Sequence, residues 1–276
     1  MQAFHIPAPP PYYTNTFLLI SDAGHAVIID PAADVQNYEQ ILQEHNAVLT
    51  TLLCTHGHFD HVGSAEALRR KYHAVLYCEA DDLAGDKMYP LSEADHGYAE
   101  GQTVTVDELQ FTAWHTPGHT PGHICLYDPD AKVMFLGDHV LFDITPNITT
   151  WLGFSDPLGT YVHSLMDISI FDVRLPLPAH RGVSGTMAER VGKIIEHHGA
   201  RIREMIGILE KNPKLTAYEL SGLMTWRVHG KSPSWADFPL QQKWFAVGET
   251  AAHLEYLLVR DRVRRELDNG VYRYYI

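Results

Sequence analysis

The 276-residue sequence has little cysteine, a shortage of positive charge and no long apolar run, and each shortage removes a class of protein. No apolar stretch reaches the roughly 18 residues that a membrane-spanning helix needs, so no membrane association is expected. The opening Met1-Gln2-Ala3-Phe4-His5 lacks the basic-then-apolar order of a secretion signal, which makes a cytoplasmic location the default expectation. Cys54, Cys78 and Cys125 are odd in number and sit in apolar, strand-like contexts, predicting buried thiols instead of a disulfide framework. Lys and Arg number 21 against 34 Asp and Glu, a formal net charge of -13. Up to Lys211 there are 12 basic and 27 acidic residues, net -15; from Asn212 onward there are 9 and 7, net +2. So acidic a body repels a phosphate backbone, and a nucleic-acid substrate is disfavoured unless metals and a local basic strip outweigh it.

Histidine, by contrast, is plentiful, with 18 copies. Three of them and a carboxylate occupy six consecutive positions in Cys54-Thr55-His56-Gly57-His58-Phe59-Asp60-His61-Val62-Gly63. Residues 47–54 are apolar and β-branched and predict a buried strand, while residues 63–72 predict a helix. The cluster therefore lies on a strand-to-helix loop, where open α/β sheets place their ligand sites. Its Thr-His-x-His-x-Asp-His spacing divides the side chains between two neighbouring metal positions.

Upstream, a stiff extended entry at residues 7–11 precedes two strands, 15–20 and 26–30, flanking a hairpin turn at 21–25. Residues 35–45 have helical periodicity. Downstream, 74–78 predicts a strand beside the one that feeds the cluster, 81–101 is polar and irregular, and 104–106 with 109–114 alternate as antiparallel strands do. They lead into His115-Thr116-Pro117-Gly118-His119-Thr120-Pro121-Gly122-His123, where two Pro-Gly dipeptides hold His119 on a rigid loop tip. His115 and His123 fall at the flanking strand ends; structural roles are preferred for both, a hydrogen bond supporting the site being the alternative. The apolar run 132–136 ends in Gly137-Asp138-His139, and the Pro-bounded strand 174–179 ends in His180.

These motifs resemble the metallo-β-lactamase-fold hydrolases, whose signature is a His-x-His-x-Asp-His loop followed by a distant His, an Asp and a last His. The resemblance implies an αββα sandwich in the α/β class. It also implies two divalent metal ions: His56, His58 and His119 on one, Asp60, His61 and His180 on the other, and Asp138 between them. Asp30 matches the Asp that supports the metal loop, and His139 is left as a non-ligand. Ala179 and Arg181 stand where glycine is commoner. No cysteine occupies a ligand position, so the set is closer to glyoxalase II, lactonases and phosphodiesterases than to β-lactamases. Imidazole and carboxylate donors suit Zn²⁺ and would also accept Fe or Mn. Two such cations would make a bridging hydroxide, with Asp60 and Asp138 as the catalytic carboxylates.

The chain is long enough for a catalytic domain, expected at 1–186, and a smaller C-terminal domain at 187–276. The latter opens with a helix over 187–210, continues through a Thr216-Ala217-Tyr218-Glu219 capping box and a helix striped by Val247, Ala251, Leu254 and Leu258, and closes in a hairpin turning at Asn269-Gly270. That order resembles the winged-helix appendage of relatives of a mitochondrial endoribonuclease. No motif matches the basic glutathione-binding residues of glyoxalase II. Between Asp138 and His180 an apolar loop with Trp151 and Phe154 either lines an acyl pocket or packs on the second domain, and Tyr161 is a further candidate for substrate contact. The favoured function is hydrolysis of a small thioester, ester or lactone. The alternatives are a ribonuclease or phosphodiesterase with Arg260, Arg262, Arg264 and Arg265 as a phosphate strip, and a binding protein without turnover. The C-terminal domain is expected to shape the pocket or form a homodimer interface.

Overall fold

The computed structural model describes residues 1–227 and 234–276. It divides into two compact units, Met1–Pro146 with Ser164–Arg190, and Asn147–His163 with Val191–Ile276.

In the first unit, β1 (Gln2–Pro7), β2 (Asn15–Ile20) and β3 (His25–Ile29) run antiparallel. Two crossovers then add parallel strands to the same sheet: α1 (Val35–Glu44) leads to β4 (Val48–Leu53), and α2 (Phe59–Val62) with α3 (Ala65–Tyr72) leads to β5 (Val75–Tyr77). The order is β1-β2-β3-β4-β5. A second sheet follows from β6 (Thr103–Val106), β7 (Leu109–His115), β8 (Ile124–Asp128) and β9 (Val133–Gly137). After α4 (Pro157–Ile168), β10 (Leu175–Pro178) joins it parallel to β9, giving the order β10-β9-β8-β7-β6.

Side-chain alternation explains why neighbouring apolar residues on β2, β3 and β4 are all buried. Leu18, Ile28 and Leu52 face a core closed by Tyr38 and Leu42 of α1 and Leu68 of α3. Leu19, Val27, Ile29 and Leu53 face the other way, against Phe111, Ile124, Leu126 and Phe135 of the second sheet. On the far side of that sheet Phe171 packs on Trp114 and Tyr127, at ring separations of 4.8 and 5.2 Å. The strand ends that carry the histidine motifs meet at one end of the sandwich, where the Ile124 amide donates to the Thr55 carbonyl at 2.8 Å.

The fold class is the expected αββα sandwich, with one strand more than the sequence suggested. β1 pairs along its whole length with β2, yet Ile6 is its one buried residue, so an edge strand with so little apolar signal leaves no period to read.

The second unit has a core of Met205, Leu209, Leu220, Met224, Leu254, Leu257, Val263 and Tyr274. It is built on α5 (Met187–Lys211), α6 (Ala217–Leu223), α7 (Leu240–Val259) and the hairpin of β11 (Arg264–Asp268) and β12 (Val271–Tyr275). The Thr216–Glu219 capping box starts α6, and Asn269 and Gly270 take the positive φ angles, 50° and 83°, that a tight hairpin turn requires. The sequence divided the chain at 186/187, whereas residues 147–163 cluster with this unit. Three contacts hold them: Asn147 Nδ2 donates to the Phe245 carbonyl at 3.3 Å, Arg260 binds Asp156 at 2.7 Å, and Gly248 leaves room for Thr149, whose Oγ1 would lie 2.6 Å from an added Cβ. Such non-local contacts have no signature in a linear reading.

Candidate metal centre

Four loops at one end of the sandwich bring the candidate ligands together. The loop after β4 carries His56 and His58, and its continuation is already helical, so α2 presents Asp60 and His61 from one turn. The β7–β8 connection carries His119, the end of β9 carries Asp138, and the end of β10 carries His180. His58 Nδ1 lies 3.0 Å from His56 Nε2 and 3.2 Å from His119 Nε2. His180 Nε2 lies 3.6 Å from Asp60 Oδ2, with His61 completing that group. Asp138 faces both sets: its Oδ2 is 3.5 Å from His119 Nε2, and its Oδ1 is 3.3 Å from His180 Nε2 and 3.8 Å from His61 Nε2. In each group of three the donor atoms lie within 4.8 Å of one another.

Remote hydrogen bonds aim three of the imidazoles. The Thr55 hydroxyl donates to Asp30 Oδ2 at 2.8 Å and therefore accepts from His56 Nδ1 at 3.1 Å. Asp30 Oδ2 also accepts from His61 Nδ1 at 3.1 Å, and the Tyr12 carbonyl accepts from His180 Nδ1 at 3.1 Å. Each bond fixes the tautomer that leaves the Nε2 lone pair pointing at the cluster. These residues fit a divalent cation pair on an independent observation: His61 Nε2 and Asp138 Oδ1 are both buried without a hydrogen-bond partner. A cation would satisfy both atoms, which otherwise carry the cost of buried, unpaired polar groups.

Charge at the cluster separates into two kinds. Burial, reinforced by the surrounding histidines, holds His56 and His58 well below the usual imidazole range, in the neutral form that coordinates metals. Burial also opposes charge on His61, but Asp30, Asp60 and Asp138 outweigh it and raise its pKa to about 9. Asp138 is held well below the carboxylate range, burial being overcome by His180, His61 and His119. Three carboxylates thus keep a proton at His61 until a cation replaces it.

The remaining sequence candidates are placed as follows. His123 is buried; its Nδ1 meets Thr116 Oγ1 at 2.8 Å and its Nε2 accepts the Asp138 amide at 3.1 Å, so it supports the backbone of a candidate ligand. His115 reaches the Tyr98 carbonyl at 3.0 Å, outside the cluster. His139 is buried, which drives its pKa down to about 3. Arg181 adopts a φ of 67°, the left-handed conformation that suits glycine better than a residue with a Cβ. Trp151, Phe154 and Tyr161 belong to the second unit. There Trp151 bridges Phe154 across a tight turn, and Tyr161 is fully buried with its ring edge-on to His198. Arg260 is paired with Asp156, and Arg265 lies 3.5 Å from Glu255.

Two supporting residues escaped the sequence reading. Asn15 Nδ2 donates to the carbonyls of Pro178 and Arg181, each at 2.9 Å, and so brackets His180. Asp82, inside the stretch read as irregular, accepts from the amides of Gly57 and Gly122. Neither has a local pattern; each matters through partners 40 or more residues away in at least one contact.

Two facing five-stranded sheets with a histidine–aspartate cluster at their loop end define the chain as an αββα protein with a candidate dinuclear metal site. It belongs to the metallo-beta-lactamase superfamily, whose family model matches residues 9–180; a second model, of the metallo-beta-lactamase-like C-terminal domain, matches residues 236–276. A beta-lactamase domain protein from Burkholderia ambifaria shares the fold with a TM-score of 0.84 at 23% identity, covering 99% of this chain and 91% of that one. A beta-lactamase-like protein 2 homolog from Caenorhabditis elegans is 28% identical over 81% of this chain and 72% of its own length. An atrochrysone carboxyl ACP thioesterase from Aspergillus fumigatus is 27% identical over 77% of this chain and 65% of its own. The chain spans 61% and 48% of the length of two fungal lactamase-like proteins that it also matches. Among the described residues no helix is long and apolar enough to cross a membrane, and the three cysteines are free and buried.

Proposed function

We propose that the protein is a dinuclear-metal hydrolase of small thioesters, with esters and lactones as the related substrates. The observation that carries this reading is Asp138, whose two oxygens face the two histidine groups at 3.5 and 3.3 Å. A carboxylate so placed suits a pair of cations, with His56, His58 and His119 holding one and Asp60, His61 and His180 the other; zinc is the first candidate, and iron or manganese suits the same donors.

When bound, a cation pair supplies a water acidified toward neutrality and a Lewis-acid contact for the acyl oxygen. The chain's own residues do the rest. Asp60, beside His180, would orient the attacking water while helping to hold the second cation. Asp138 keeps the two ligand groups in register, and Asp30, Thr55 and Tyr12 hold the imidazoles in the coordinating tautomer. A protein nucleophile is not required: contact with Cys78, reinforced by burial, raises the Cys54 thiol, and burial raises that of Cys125 to about 12, leaving neither as a thiolate at neutral pH.

The thioester class is supported by the Aspergillus thioesterase among the relatives and by the cysteine-free ligand set. Phosphodiester cleavage is the second reading, supported by the guanidinium groups of Arg262 and Arg264, which have no partner among the described residues. The pairing of Arg260 and Arg265 with acidic neighbours weighs against it. We read the C-terminal unit, with its helices and closing hairpin, as a winged-helix-like module that shapes substrate access or pairs two copies. Steady-state assays of zinc-loaded protein on acyl thioesters, lactones, bis-aryl phosphodiesters and RNA test the assignment. Turnover of thioesters at least a hundredfold faster than of phosphodiesters is expected, and the reverse order overturns it.

A further inference from the structure

Asp30 is one of two carboxylates buried beside the cluster, and Asp82 is the other. Asp82 ends the short 3-10 turn Ala80–Asp82 and is fully buried. Its Oδ2 accepts from the Gly57 amide at 3.0 Å and from the Thr120 hydroxyl at 2.7 Å, and its Oδ1 accepts from the Gly122 amide at 2.9 Å. Gly57 separates His56 from His58, whereas Thr120 and Gly122 follow His119. One carboxylate therefore ties together the two loops that carry all three imidazoles of one ligand group.

The approach is too close for any residue but glycine at two of these positions. A Cβ on Gly57 would lie 2.1 Å from the Asp82 carbonyl oxygen, and one on Gly122 would lie 2.7 Å from Glu79 Cβ and 3.0 Å from Asp82 Cγ. The same segment also braces His58 from outside: the Tyr89 ring stacks on it at 5.1 Å, and the Phe59 amide donates to the Met88 carbonyl at 2.9 Å. A carboxylate taken out of water loses its hydration, and three donors from two loops restore what it lost only while those loops stay in one arrangement.

We propose that Asp82 is a positioning residue for the His56–His58–His119 metal position, whereas Asp30 reaches both positions, directly at His61 and through Thr55 at His56. The proposal rests on the dinuclear reading, since it assigns Asp82 to one of the two ligand groups. It predicts separable effects. Asp82→Asn puts an amide donor opposite a backbone amide, either at Gly122 or at Gly57, and so unties one loop from the other. The Asp30 contacts to Thr55 and His61 are untouched.

The test uses the full chain, stripped of metal and titrated with Zn²⁺, with assigned histidine ring signals reporting which group fills. In Asp82→Asn the amide of Gly57 or of Gly122, whichever faces the new donor, should exchange with solvent at least about tenfold faster in the metal-free protein. Zinc at His58 and His119 should bind about 10–100-fold more weakly, while zinc at His61 and His180 changes by less than about threefold. Asp30→Asn, which touches His61 and, through Thr55, His56, should weaken both groups. Thr120→Val, which deletes one hydroxyl, is the milder variant should Asp82→Asn fail to fold, and should weaken the same group about three- to tenfold. Equal weakening of both groups by the Asp82 or Thr120 substitution, or lower thermal stability with both affinities unchanged, overturns the proposal. Zinc uptake by the wild type without turnover of any ester, thioester or phosphodiester would remove the hydrolase reading and leave the Asp82 assignment standing; no zinc uptake at all would remove both.

Discussion

Asp30 Oδ2 and His61 Nδ1 are 3.1 Å apart, and both side chains are withdrawn from water. Asp30 holds this position from a φ of 50°, a left-handed conformation that Asp tolerates better than most residues. With Asp60 and Asp138 also nearby, His61 keeps its proton up to about pH 9 in the metal-free protein, against the burial that opposes it.

The first prediction follows from that proton. His61 is raised from 6.5 to about 9, so its contribution to stability is full below pH 6.5 and is lost as pH climbs through 9, on the order of 3 kcal/mol. Denaturant titration of the metal-free protein should show this loss between pH 6.5 and 9. Zinc must displace the same proton, so affinity should rise across that window, with about one proton released per chain from this residue at pH 7.5. Calorimetry in two buffers of different ionisation enthalpy measures the release. An affinity independent of pH from 6.5 to 9 would contradict the assignment of His61.

A second prediction concerns Asp138. Replacing it with Ala removes the group that both histidine sets face and should lower turnover by at least about a hundredfold, more than the loss typical of residues that merely support ligands. Folding should suffer less than turnover, the part lost being the charge pairing of Asp138 with His180 and His61. Melting temperature, bound metal and kcat measured together decide the matter. Equal losses of stability and activity with two metals retained would make Asp138 a structural residue.

How far the sequence could be read depended on the range of the forces involved. The strand–loop–helix around His56 and the turn at Asn269-Gly270 are local, set by alternation, glycine and proline, and each appears where the residues implied. His119 was legible because two Pro-Gly pairs frame it. Asp82 was not, since nothing in Ala80-Asp81-Asp82 separates a buried carboxylate from a solvated one; only its partners at Gly57, Thr120 and Gly122 do. Asn147 and Thr149 show the same limit, because their partners Phe245 and Gly248 lie on α7, more than 90 residues later.

The third prediction lies in the second unit. His198 Nδ1 and His253 Nε2 are 3.2 Å apart, and His253 Nδ1 donates to the Glu249 carbonyl at 2.7 Å. Burial lowers the pKa of both rings, that of His198 to about 3, so the fold holds them neutral. The unfolded chain takes up protons below about pH 6.5, and stability is lost as pH falls from there toward 3. From pH 7 to pH 5 the loss from His198 alone is about 2 kcal/mol. Glu249, lowered to about 2 by His197, His253 and Arg201 against its burial, adds to the loss only below about pH 4.5. His198→Gln keeps a donor toward His253 and does not titrate, so it should flatten the slope between pH 7 and 5; an unchanged slope would place the acid sensitivity elsewhere.

The fourth prediction addresses nucleic acid. Of the four arginines between positions 260 and 265, Arg260 binds Asp156 at 2.7 Å with its guanidinium over Tyr256, and Arg265 lies 3.5 Å from Glu255 with its guanidinium over Tyr272. Among the described residues that leaves Arg262 and Arg264 without an acidic partner. Two phosphate contacts on a single strand give a log–log salt slope of about -1.4, far below that of a dedicated binder, and the remainder of the chain carries a strong negative charge. Single-stranded RNA should therefore bind more weakly than micromolar at moderate salt. Changing Arg262, Arg264 and Arg265 to Ala should alter thioester turnover by less than about twofold. Fluorescence anisotropy at low and moderate salt, on wild type and the triple variant, checks both statements. Micromolar or tighter binding that falls steeply with salt and with these substitutions would mean that RNA recruits cations now held by Asp156 and Glu255, and would place phosphodiester cleavage ahead of thioester hydrolysis.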